Sequence, residues 1–131
     1  MRLVYRRFVV PQLIPGLRFR TGLYHGSREL RDAEDVRPED RAELMALREW
    51  FNEHLAEPTQ LSISSQPHKK AQALSWFKLT ATEHIAKMQA IADLMRAYNR
   101  PSTVLETNRP GYIVYEDEHQ IAAYPFNDTP F

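Results

Sequence analysis

Ala81–Tyr98 constrains the fold of this chain more than any other stretch. Ile85, Met88, Ile91, Ala92, Met95 and Tyr98 recur at three- and four-residue spacing, so an α-helix gathers them into one apolar stripe. Such a stripe must be covered. Thr80 and Glu83 have capping-box spacing at its start, and Asn99 and Pro101 close its end. A second stripe, Leu44, Leu47, Phe51 and Leu55, widened by Trp50, predicts a helix over Pro38–Leu55, with Pro38 at its first turn and Glu39, Asp40 and Glu43 suiting its positive end.

The covering surface has to be a sheet, because the remaining segments read as strands. Arg2–Val10 is rich in β-branched and aromatic residues and is ended by Pro11. Gly16–His25 alternates, with Leu17, Phe19, Thr21 and Leu23 on one face and Arg18, Arg20, Gly22 and Tyr24 on the other. Ala73–Leu79, Thr103–Thr107, Tyr112–Glu116 and Gln120–Tyr124 complete the set, with turns expected at Asn108–Gly111 and Glu116–His119. The expected fold class is α+β, in the order β-β-α-β-α-β-β-β, with a mostly antiparallel sheet and two helices packed on one face. At 131 residues this is one domain, 1–131, and the unpatterned stretch Pro58–Gln72 reads as a mobile loop.

Hydrophobic residues at 43% and charged residues at 26% place the chain in the globular class. With no cysteine there is neither a disulfide nor a thiolate ligand, and a cytoplasmic location is expected. Arg2, Arg6 and Arg7 break the first apolar run, so it lacks the continuous core of a signal peptide, and no membrane segment is expected.

The net charge is zero, yet it is distributed in blocks: residues 1–31 hold seven Arg against one Glu, and residues 32–57 hold nine acids against three Arg. Neighbouring blocks should neutralise one another first. A chain built to grip nucleic acid would carry a net basic excess, so nucleic acid is a possible but disfavoured partner. The five histidines, His25, His54, His68, His84 and His119, make no tight ligand pair in sequence, and the acidic run Glu116–Glu118 reads as a solvated hairpin tip. Glu83–His84 lacks the second histidine of the zinc-protease pattern and reads as an exposed helix start. No metal and no cofactor is expected. Ser62, Ser64 and Ser65 have no glycine elbow beside them, and no glycine-rich phosphate loop occurs.

Two resemblances bear on function. "LYHGSR" (Leu23–Arg28) resembles the His-Gly-Ser signature of the poly(ADP-ribose) polymerase type of ADP-ribosyltransferase, and "YIVYEDEHQIAAYPF" (Tyr112–Phe126) is similar to that family's last catalytic strand. The resemblance implies an NAD site in which His25 and Ser27 contact the ribose, Trp76 stacks on nicotinamide, and Tyr112 lies on the catalytic strand. The family's glutamate position is occupied by Gly111, so Glu116 would have to substitute for it. Over most of its length the chain resembles small uncharacterised bacterial proteins with segments like Trp50–Leu55, Trp76–Ile85 and Arg109–Asp117. That resemblance implies an independent domain and no particular chemistry.

The leading expectation is therefore a non-catalytic binding module that contacts a protein partner, or a second copy of itself, through Arg18, Arg20, Tyr24, His25 and Arg28 at the end of the second strand. An ADP-ribosyltransferase-like NAD-binding domain and a nucleic-acid-binding protein are the alternatives.

Overall fold

The computed structural model describes residues 3–57 and 73–131, so the expected loop over 58–72 lies outside the described residues. The elements run β1 (Tyr5–Leu13), β2 (Arg20–Gly22), α1 (Leu23–Gly26), α2 (Arg28–Asp32), α3 (Pro38–His54), β3 (Leu74–Lys78), α4 (Thr82–Ala97), β4 (Thr103–Thr107), β5 (Tyr112–Glu116) and β6 (Gln120–Tyr124). The fold is α+β with a six-stranded sheet, and every strand pair is antiparallel.

β1 organises that sheet. Tyr5 pairs with both Lys78 of β3 and Thr107 of β4, while Val9 pairs with both Gly22 of β2 and Thr103 of β4. A strand has two edges, so β4 occupies one, and β3 and β2 share the other. The sheet forks between Arg6 and Val9. Beyond β3 come β6 and then β5.

α3 and α4 cover one face. Phe8, Val10 and Phe77 from the sheet meet Leu44, Leu47 and Phe51 of α3 and Met88, Ile91, Ala92 and Met95 of α4 in one buried cluster. Full burial of such side chains contributes roughly 1.5–3 kcal/mol each. The opposite face buries Tyr5, Phe19, Leu74, Trp76, Ile121 and Ala123, with Ile14 and Leu17 of the β1–β2 connection packed over them. β4 and β5 lie at opposite ends of the strand order, yet only Asn108–Gly111 join them. That link spans at most about 17 Å, whereas crossing a flat sheet would take about 19 Å at 4.8 Å per strand. The sheet is therefore curled, and Leu3 and Tyr5 come to line one groove with Ile113 and Phe126.

Four local expectations are corrected. Pro11 does not end β1, which continues to Leu13; the pairing with β2 shifts register between Val9 and Leu13, the irregularity at which a residue without an N–H is tolerated. The expected strand Gly16–His25 survives only as Arg20–Gly22, and its alternation fails because Phe19 packs on the second face while Leu23 turns into α1 beneath the helices. The capping box does not form, since Ala81 occupies the cap position of α4 and no side chain caps it. Asn108–Gly111, expected as a turn, is instead a link between strands that are not neighbours in the sheet.

Gly111 fixes that link. Its φ is 141°, and a Cβ there would stand 2.0 Å from the Tyr124 carbonyl oxygen. Gly111→Ala should destabilise the protein by about 2–4 kcal/mol, the combined scale of backbone strain and overpacking, read as a lower urea midpoint at unchanged slope. A midpoint within error of wild type would contradict this account of the link.

Candidate functional site

"LYHGSRELRD" folds as two short helices hinged at Ser27. Gly26 is required by a close approach: a Cβ there would lie 2.6 Å from Val10 Cγ2, so any side chain would push α1 off β1. Arg48 of α3 supplies the polar half of the anchor. Its Nη1 donates to the Tyr24 carbonyl (2.7 Å) and to Ser27 Oγ (2.5 Å), Ser27 Oγ donates to the same carbonyl (2.6 Å), and the guanidinium lies 4.4 Å from the Tyr24 ring centroid. These partners come from distant sequence, so strand-like alternation yields to helix.

The result is a cleft of about 480 Å³ lined by Tyr24, His25 and Arg28 on one side, Asn52 and Leu55 on another, and Ser75, Met88 and Gln120 below. Tyr24 Oη donates to Asn52 Oδ1 (2.7 Å), which orients both at the rim. His25 and Arg28 are exposed, and among the described residues Arg28 has no ion pair. Of the nearby acids, Asp32 pairs with Arg31 (2.8 Å) and Glu29 and Asp35 flank Arg100 at 3.5 and 3.9 Å, while Glu57 lines the cleft itself and forms no ion pair with Arg28.

Arg18 and Arg20, expected beside these residues, lie at another corner. Arg18 Nη2 donates to the carbonyls of Phe126 (3.2 Å) and Asn127 (3.0 Å), and its guanidinium sits over the rings of Phe19 and Phe131. Arg20 Nε donates to the Phe131 main-chain oxygen (2.5 Å). Both line a separate open depression of about 610 Å³ bordered by residues 127–131. The five residues expected to form one surface thus divide into two groups.

The residues proposed for NAD do not converge. Ser27 is buried and committed to Tyr24 and Arg48. Trp76 is buried in the second core, Tyr112 lies exposed on β5, and Glu116 pairs with Lys78 at 2.6 Å. His25 borders the cleft; neither Tyr112 nor Glu116 does. At position 111, where the transferase family has its glutamate, the Tyr124 carbonyl leaves no room for a side chain.

The structure also assembles groups that the sequence does not join. His84 is buried, with Nε2 2.9 Å from the His54 carbonyl oxygen, and its ring stacks on His119 at 4.2 Å and meets Trp50 edge-on at 4.7 Å. The expected exposed helix start is therefore part of an aromatic stack. Among the described residues, no three His, Asp or Glu side chains are placed to hold a metal ion. Arg7 and Arg48, both buried, are a second omission. Period-two alternation puts Arg7 on the face of Tyr5 and Val9, and helical spacing puts Arg48 four residues from Leu44, so each had a legible signal.

Compared with protein-family models, with curated proteins and with solved structures, the chain matches none.

Electrostatics gives the corner its character. The His25 pKa is lowered from 6.5, first by partial desolvation of its ring against the cleft wall and then by the charges of Arg28 and Arg48. The folded state therefore binds this proton less tightly than the unfolded chain. Stability is lost as pH falls through the unfolded value near 6.5 toward the lower folded one. Arg28→Ala should raise the His25 pKa toward its ordinary value, as followed by NMR titration of the imidazole; an unchanged titration would show that Arg28 does not shape this corner.

Proposed function

We propose that this chain is a non-catalytic binding module that contacts a protein partner through the α1–α2 corner, where an acidic side chain of the partner enters the cleft between Tyr24, His25 and Arg28. The observation that carries the reading is the guanidinium of Arg28 at the cleft rim, without an ion pair among the described residues, beside a histidine whose protonation its charge opposes. An incoming carboxylate would relieve that repulsion and gain charge-assisted hydrogen bonds. Asn52 and Tyr24 would flank it with amide and phenol groups.

A second copy of the chain offers suitable acids, because Glu43, Glu49 and Glu53 of α3 are exposed. Nucleic acid is less well served, since Arg18 and Arg20 are occupied by main-chain oxygens, and among the described residues Arg28 alone of these three forms no such contact. The separation of His25 and Ser27 from Tyr112 and Glu116 leaves the transferase alternative without an assembled site.

A labelled glutamate-rich peptide should bind the intact chain, weaken with rising salt, and lose roughly tenfold in affinity, about 1.4 kcal/mol, on Arg28→Ala. Equal binding of a lysine-rich control, or an unaltered Arg28→Ala titration, would remove the reading. Sedimentation at low and high salt distinguishes a second copy from another protein as the partner. NAD and ADP-ribose should leave the melting temperature unchanged; a saturable rise with either would instead support the transferase alternative.

A further inference from the structure

Where β1 and β3 part, the sheet encloses a second, smaller cavity of about 120 Å³. Its walls are Phe8, Leu23, Trp76, Phe77 and Met88, and its polar groups are Arg7, Ser75 and Gln120. Tyr24, Leu55, Ser75, Met88 and Gln120 also line the outer cleft, so the two spaces adjoin.

Arg7 is the unusual member. It is 8% exposed, yet its guanidinium meets only carbonyl oxygens among the described residues: Nη1 donates to Ser75 O (3.4 Å) and Nη2 to Arg20 O (2.7 Å). Those bonds occupy two of five N–H donors and cancel none of the charge. No carboxylate of the chain pairs with it, and residues 58–72 contain neither Asp nor Glu. Burial, and then the charge of Arg20, lowers its pKa to about 10, the mark of a cation without a counter-ion. A second donor is also unmet: the indole Nε1 of Trp76, a side chain 1% exposed in the same wall, has no hydrogen-bond partner among the described residues. Gln120 cannot serve as counter-ion, and its amide hydrogens are already directed to Ala56 O (2.5 Å) and Asp117 Oδ2 (3.1 Å). Asp117 itself accepts from Tyr115 Oη and from the amides of His119 and Gln120.

A buried guanidinium without a counter-ion, set among aromatic and aliphatic walls, makes a pocket short of one anionic acceptor. We infer that this cavity binds a small organic carboxylate, its charged group on Arg7 and its apolar body between Phe8, Phe77 and Met88, pointing out past Tyr24 into the cleft. The apolar walls select a carboxylate with a hydrocarbon or aryl body over an inorganic anion. This site stands on Arg7 and does not depend on the partner contact assigned to Arg28.

Phenylacetate and butyrate at millimolar concentration are the probes, with their amides and inorganic phosphate as controls. Both acids should raise the melting temperature of the intact chain saturably and shift the Arg7 Nε–Hε resonance, while the amides and phosphate do neither. Arg7→Met should weaken binding by at least roughly tenfold; if that variant fails to fold, the wild-type Arg7 resonance still decides the matter. An unmoved resonance, or equal responses to acid and amide, would overturn the assignment. A response to phosphate matching that to phenylacetate would overturn the carboxylate class. Loss of peptide binding on Arg28→Ala with phenylacetate binding retained would separate the two sites.

Discussion

The guanidinium of Arg7 sits where two strands, β2 and β3, share one edge of β1. β1 cannot give a whole edge to β3, because β2 claims its second half, and the parting strands leave carbonyls at Ser75 and Arg20 that need donors. Arg7 reaches both and ties the branches together. A buried charge is an expensive tie, since desolvation of an ion costs several kcal/mol unless compensated. The fork therefore joins architecture and chemistry: the side chain that spans the split also leaves an unneutralised cation facing an apolar space.

From that fork the rest follows in layers. The early exit of β2 turns the chain under α3, where Arg48 takes the Tyr24 carbonyl and the Ser27 hydroxyl, and Gly26 lets α1 lie directly on Val10. This places Tyr24, His25 and Arg28 at the mouth of a cleft whose floor belongs to β3 and β6. The cationic corner is made by long-range contacts between α1, α3 and β1. Asp32, Glu29 and Asp35 are directed toward Arg31 and Arg100, and Glu57, the acid on the cleft wall, forms no ion pair with Arg28.

Much of the scaffold was legible in the residues. The stripes of α3 and α4 end within a residue of their expected bounds, and so do β3 to β6. These elements are long or sharply bounded, so local pattern and tertiary burial agree. The site was less legible. Arg18 and Arg20 alternate as a solvent-facing pair should, but the chain folds back and supplies carbonyls from residues 126, 127 and 131, which no local spacing announces. Leu23–Asp32 follows a strand pattern at its start and is helical because Arg48 and Val10 make it so. His84 carries the polarity of a surface residue, but the His54 carbonyl and the His119 ring accept it inside.

The three-way pairing of β1 also sets the order in which this molecule can assemble. Among the described residues, the strand partners of residues 5–13 are residues 20–22, 74–78 and 103–107, the last about a hundred positions away. Closing loops of that size defers the reward of pairing until much of the chain has been made. Until then Phe8, Val9 and Val10 have little beyond three residues of β2 to shield them, and a ribosome-bound or freshly released chain passes through an interval in which its most apolar ribbon is available to chaperones or to neighbouring chains.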